Sequence, residues 1–129
     1  MSYYITTTIE GAFDQTIEKV TEELKKEGFG VLTEIDMKAT LKNKLDVDIY
    51  NYQILGACNP PNAYKAVQAE NKIGLMLPCN VIVQEREAGK IEVSAIDPVA
   101  SMTAIDNPEL IGIAADVRDK LSNVIQALG

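Results

Sequence analysis

The 129-residue chain has no histidine, no tryptophan and only two cysteines. The missing histidine excludes most. Imidazole is the usual general base near neutral pH and the commonest metal ligand, and every Ser-His or Cys-His nucleophile pair requires one. Ser94 and Ser101 therefore have no base to activate them. Cations are scarce too, with 12 Lys and Arg against 19 Asp and Glu and a net charge of −7. Clustered Lys and Arg hold phosphate backbones and anionic lipid. Here the densest clusters, Lys25-Lys26 and Lys42 with Lys44, sit among acids. Neither nucleic acid nor membrane is expected as a partner. No apolar run approaches the ~18 residues of a membrane span, and no basic-then-apolar leader follows Met1. The expected compartment is the cytoplasm, where two cysteines read as thiols rather than a structural disulfide.

What is present suits one soluble domain over residues 1–129, with 47% hydrophobic and 24% charged residues. Residues 2–9 are β-branched and aromatic, with Tyr3, Ile5, Thr7 and Ile9 on one face of a strand. Phe13, Ile17, Val20 and Leu24 form a helical stripe that ends at Gly28, a left-handed cap. Phe29–Ile35 is a second strand. Asp36 then caps a short helix whose Met37, Leu41 and Leu45 share a face.

A third strand runs from about Ile49 to Ala57. It places Tyr50, Tyr52, Ile54, Gly56 and Cys58 on one side. Asn59-Pro60 reads as cap and first-turn proline of a helix to about Glu70, with Ala63, Tyr64 and Val67 inward. Strand four spans about Leu75–Glu85, a turn covers Glu87–Lys90, and strand five spans Ile91–Ile96. Asp97-Pro98 opens a short helical piece. Asn107-Pro108-Glu109 starts a final helix striped by Leu110, Ile113, Ala114, Val117, Leu121, Val124, Ile125 and Leu128.

The order β-α-β-α-β-α-β-β-α-α predicts an α+β two-layer sandwich: a five-stranded mixed sheet with helices mainly on one face. The other face needs cover. Tyr3, Tyr4, Tyr50 and Tyr52 are candidates for it, either under a partner subunit or as half-exposed strand residues.

Chemistry concentrates in Ile54–Glu85, which holds both cysteines and three of the five prolines. Two apolar runs there each lead into Cys-Asn: Cys58-Asn59 and Cys79-Asn80. Cys58 precedes a helix N-terminus, where backbone N–H groups favour a thiolate. With strands three and four taken as parallel, a helix of ~18 Å and a strand rise of ~13 Å set the two sulfurs at similar height. Free cysteines also pack well as small hydrophobes. Two thiolates are too few for zinc, which takes about four ligands. No metal is expected unless a dimer joins two pairs or a carboxylate such as Asp97 enters.

Asn59 fits a helix cap, whereas Asn80 in an apolar strand must bond backbone or face a pocket. Pro78 points to an edge, a bulge or a cis bond. No motif specifies a cofactor. Gly28-Phe29-Gly30 lacks the glycines of a phosphate loop, and Asp14, Glu18, Glu22 and Glu23 form a solvated helix face.

Over nearly its whole length the chain resembles family 302 of the domains of unknown function, a bacterial and archaeal family. The resemblance rests on Gly28-Phe29-Gly30-Val31-Leu32, the block Ile54 to Pro60, Gly74-Leu75, Leu77-Pro78-Cys79-Asn80-Val81 and Asp97-Pro98. It departs from the family pattern at Asn71 and near Gln53, outside the cysteine blocks. It implies a compact two-layer α/β domain, dimeric, with no assigned reaction.

Three functional expectations follow. The first is a cytoplasmic homodimer with a small-molecule site lined by Cys58, Asn59, Cys79 and Asn80. The second is a thiol-dependent redox or electrophile-handling protein, with Cys58 as nucleophile and Cys79 as its partner. The third makes both cysteines purely structural, with no active site.

Overall fold

The computed structural model describes residues 2–129. Its elements, in chain order, are β1 (Tyr4–Glu10), α1 (Phe13–Lys26), β2 (Gly30–Asp36), α2 (Met37–Leu45), β3 (Asn51–Cys58), α3 (Pro60–Ala69), a 3-10 turn (Ile73–Met76), β4 (Cys79–Glu87), β5 (Lys90–Ile96), α4 (Pro98–Ser101) and α5 (Glu109–Leu128).

Local chemistry explains most boundaries. The Asp36 carboxylate accepts the Ala39 N–H at 2.9 Å and caps α2. The Asp97 carboxylate accepts the Val99 and Ala100 N–H groups and starts α4. Gly28, at φ +85°, ends α1 in the left-handed region that glycine tolerates best. The prolines at the first turns of α3 and α4 have no N–H to leave unpaired.

The sheet order is β1-β5-β4-β3-β2. Every neighbouring pair is antiparallel, so the α+β two-layer class stands while the mixed sheet, and the parallel β3–β4 pairing assumed for the cysteines, do not. The helix between β3 and β4 suggested a crossover. Instead α3 packs on α5 and the 3-10 turn, and the chain re-enters the sheet at the end it left.

One sheet face carries the core. Leu55 and Ala57 of β3, Val81 and Val83 of β4, and Ile91, Val93 and Ala95 of β5 are buried against Val20 and Leu24 of α1 and the stripe of α5. Burying such side chains contributes about 1.5–3 kcal/mol each before chain entropy is counted. A smaller cluster joins Ala66, Ile73, Met102, Leu110 and Ala114 from α3, the 3-10 turn and the start of α5. On the opposite face Tyr50 stacks on Tyr52 with ring centroids 5.8 Å apart, and Tyr3 meets Tyr4 edge-on at 5.1 Å. All four line a shallow depression together with Ile82 and Arg86.

Three local expectations are corrected. In α3 the inward residues are Asn62 and Ala66, whereas Tyr64 is 66% exposed and Val67 half-exposed. On α2, Met37 and Leu41 are half-buried beside the sheet while Leu45, at the far end of the same stripe, is exposed. Strand β4 starts at Cys79 rather than Leu75, because Ile73–Met76 is a turn and Pro78 has no N–H for a ladder.

Candidate functional site

Antiparallel pairing places Ala57 opposite Cys79. Cys58 is the next residue on β3, so both cysteines stand at the same end of the sheet. In an antiparallel pair the strand that leaves and the strand that returns share an end, and this juxtaposition follows from topology alone. Both are free thiols, Cys58 half-buried and Cys79 buried. Burial, and then the neighbouring Cys58, push the Cys79 thiol up to about 11. It therefore stays protonated at neutral pH.

The two cysteines share one cavity of about 270 Å³. It opens at the seam between the two hydrophobic clusters. Phe29, Ala57, Cys79 and Val117 wall it from the larger cluster, and Ala66, Leu77, Met102 and Ala114 from the smaller one. Pro78, whose bond to Leu77 is cis, also lines it. No Lys, Arg, Asp or Glu does. Such a chamber suits an uncharged, mostly apolar molecule.

Asn59 and Asn62 supply the cavity's side-chain amides. Asn59 caps α3, its Oδ1 accepting the Asn62 backbone N–H at 3.3 Å and the Asn62 Nδ2 at 3.2 Å. Its own Nδ2 donates to the Glu27 carbonyl at 3.3 Å, tying the end of α1 to the start of α3. Gly28 lies beside this tie, where a side-chain carbon would sit 3.1 Å from Asn59 Nδ2. Asn62 Nδ2 also donates to Asp116 Oδ2 of α5 at 2.8 Å. That N–H, together with Lys120 and Lys65, holds the Asp116 carboxyl below the usual carboxylate range.

Of the four residues singled out from sequence, Cys58, Asn59 and Cys79 meet at this cavity, and Asn80 does not. Asn80 follows Cys79 on a strand and so faces the other way, into the tyrosine-lined depression. Asp97 is committed elsewhere: it caps α4 and pairs with Arg118 at 3.1 Å. Among the described residues there is no group of three or more His, Cys, Asp or Glu placed to hold a metal ion, and no helix is long and apolar enough to cross a membrane. Asn62 was not singled out from sequence. Its signal was a polar amide three residues after a cap, the reciprocal position of a capping box.

A family model described as "Domain of unknown function DUF302" matches residues 5–128. A crystal structure of an uncharacterized conserved DUF302 protein from Bacillus stearothermophilus matches with a TM-score of 0.92 and 28% sequence identity, over 100% of both chains. No curated protein matches the chain.

Proposed function

From the premise that the chain belongs to the DUF302 family, we propose that it is a cytoplasmic homodimeric small-molecule-binding domain whose ligand occupies the cavity beside Cys58, Asn59 and Cys79. One observation carries this reading: a chamber of about 270 Å³ at the seam of two core clusters, lined by both thiols and by no charged side chain. The cavity is open to solvent on one side, and a mostly apolar concave lining of this kind favours an apolar guest over water.

The dimer reading rests on the uncovered sheet face. It carries four of the chain's five tyrosines and Ile82, Ile96 and Asn80. Its facing charges, Arg86 and Glu92, pair with each other at 2.8 Å. That pair adds no net charge to a face through which two copies of a −7 molecule could meet. Five strands at ~4.8 Å and seven residues at ~3.4 Å give a face of roughly 600 Å². Two such faces bury about 1,200 Å², the lower bound of specific interfaces.

Native mass spectrometry of freshly purified protein tests both parts. The expected result is a species of twice the 14.1 kDa chain mass, carrying an uncharged adduct that leaves when Cys58 is alkylated. A monomer sinks the dimer. Failure of any apolar probe to perturb the Met102 and Cys58 signals in NMR titrations sinks the cavity reading.

The shared cavity also supports thiol chemistry, with the half-buried Cys58 as attacking sulfur and Cys79 as its protonated neighbour. Iodoacetamide alkylation of Cys58 no faster than that of free cysteine at neutral pH removes that reading.

A further inference from the structure

The cavity's walls are carbon and sulfur except where Asn59 and Asn62 reach it, and the hydrogen bonds of these two amides specify what a ligand must offer. Asn59 Oδ1 is engaged twice, by the backbone N–H and by the side-chain N–H of Asn62. Asn59 Nδ2 is engaged by the Glu27 carbonyl.

The orientation of the Asn62 amide follows from its neighbours. Its Nδ2 lies between two acceptors, Asn59 Oδ1 at 3.2 Å and Asp116 Oδ2 at 2.8 Å. The flipped amide would set an oxygen against a carboxylate and a carbonyl oxygen, with two hydrogen bonds lost and two repulsions gained. Asp116 remains ionised at neutral pH, so this orientation does not depend on a proton there. Both amide hydrogens are then spent. The Asn62 Oδ1 has no hydrogen-bond partner in the protein among those described, in a side chain whose residue is only 7% exposed and lines the cavity.

We propose that Asn62 Oδ1 is the polar anchor of the cavity, selecting a small uncharged apolar ligand that carries one hydroxyl or N–H donor. The proposal rests on the cavity reading above. The lining offers no cation to a carboxylate or phosphate and no anion to an ammonium, so charged ligands lose their hydration without compensation. A donor meets an acceptor already oriented by Asn59 and Asp116. An analogue lacking the donor leaves this carbonyl to water, so one such bond discriminates by about the net worth of a single hydrogen bond. Asn62 is thus a specificity residue, and Asn59 and Asp116 position it.

The test uses phenol and toluene, a matched pair in which hydroxyl replaces methyl. Each is titrated by NMR into the full-length protein and into Asn62→Leu, which keeps the approximate shape and removes the acceptor. In the wild-type protein phenol is expected to bind at least as tightly as the more apolar toluene, and to shift the Asn62 side-chain carbonyl carbon where toluene does not. In Asn62→Leu the phenol-to-toluene affinity ratio is expected to fall about tenfold, the equivalent of one net hydrogen bond.

If both bind and that ratio is unchanged, the anchor is overturned while the cavity reading survives. If neither ligand binds the wild-type protein, both are overturned. Should Asn62→Leu fail to fold, the wild-type carbonyl shift decides: equal shifts with phenol and toluene, or none with either, overturn the anchor.

Discussion

Ala57 and Cys79 face each other across β3 and β4, and this pairing brings Cys58, half-buried, and Cys79, buried, to the same end of the sheet. Cys58 is reachable from solvent, whereas Cys79 is 8% exposed. Mass mapping after brief treatment with iodoacetamide at pH 8 is expected to find label on Cys58 alone in the native protein. In denaturant both should react. Equal labelling of the native thiols would refute the difference in burial.

The raised Cys79 value carries a stability consequence. A thiol with its folded pKa raised from 9.0 to about 11 contributes its full stabilisation below pH 9, and loses it as pH rises through 11. Stability should therefore decline between pH 9 and 11, by at most about 3 kcal/mol from this group. Urea midpoints of the wild-type protein and Cys79→Ala, compared at pH 8 and pH 10.5, isolate it, because tyrosine titration is common to both. The gap between the two proteins is expected to shrink at the higher pH.

Gly56 is crowded where the other glycine of the sheet, Gly30, is open. A methyl there would overlap the Thr33 hydroxyl opposite it on β2 and approach Pro78 Cγ to 2.8 Å. Gly56→Ala should cost about 1–3 kcal/mol by overpacking. Removing the Thr33 side chain beyond Cβ in a Thr33→Ala/Gly56→Ala double variant should recover part of that, a non-additivity readable by chemical denaturation. Additive losses would show that the crowding lies elsewhere.

Asn59→Ala removes a helix cap and the tie to Glu27 in one step. A loss of about 1–2 kcal/mol is expected, with amide exchange accelerating first at the start of α3 and the end of α1. Exchange confined to α3 would mean that the tie to Glu27 contributes nothing.

Leucines separate the buried from the merely periodic. Leu121 is 0% exposed in the main core, and Leu45 is 67% exposed on α2. Leu121→Ala should cost about 2–5 kcal/mol. Leu45→Ala should stay within about 0.5 kcal/mol.

Local chemistry was readable from the chain, and long-range placement was not. Asp36, Asn59 and Asp97 cap the helices their side chains suited, and the stripe of α5 is buried where its period puts it except at Ile113, which is half-buried. Pairing direction was lost because β3 and β4 are joined by a helix, which local patterns cannot distinguish from a crossover. The α2 stripe is covered at Met37 and Leu41 and bare at Leu45, because periodicity shows which residues align, not how far the neighbouring layer extends. Asn80 was grouped with Cys79 by sequence adjacency, although period-two alternation alone sends consecutive strand residues to opposite faces. Asn59 escapes that rule by leaving β3 and capping α3. Asn62 was hidden because its importance depends on Asp116, 54 residues away.

The sheet order has a further consequence for how this protein is born. β1 pairs only with β5, Thr6 lying opposite Ser94, so during synthesis β1 waits until the intervening strands and helices and then β5 have been made. At ~5–20 residues per second, its exposed backbone stays unpaired for some seconds of synthesis. The threonines at positions 6, 7 and 8 put three hydroxyls on that waiting segment.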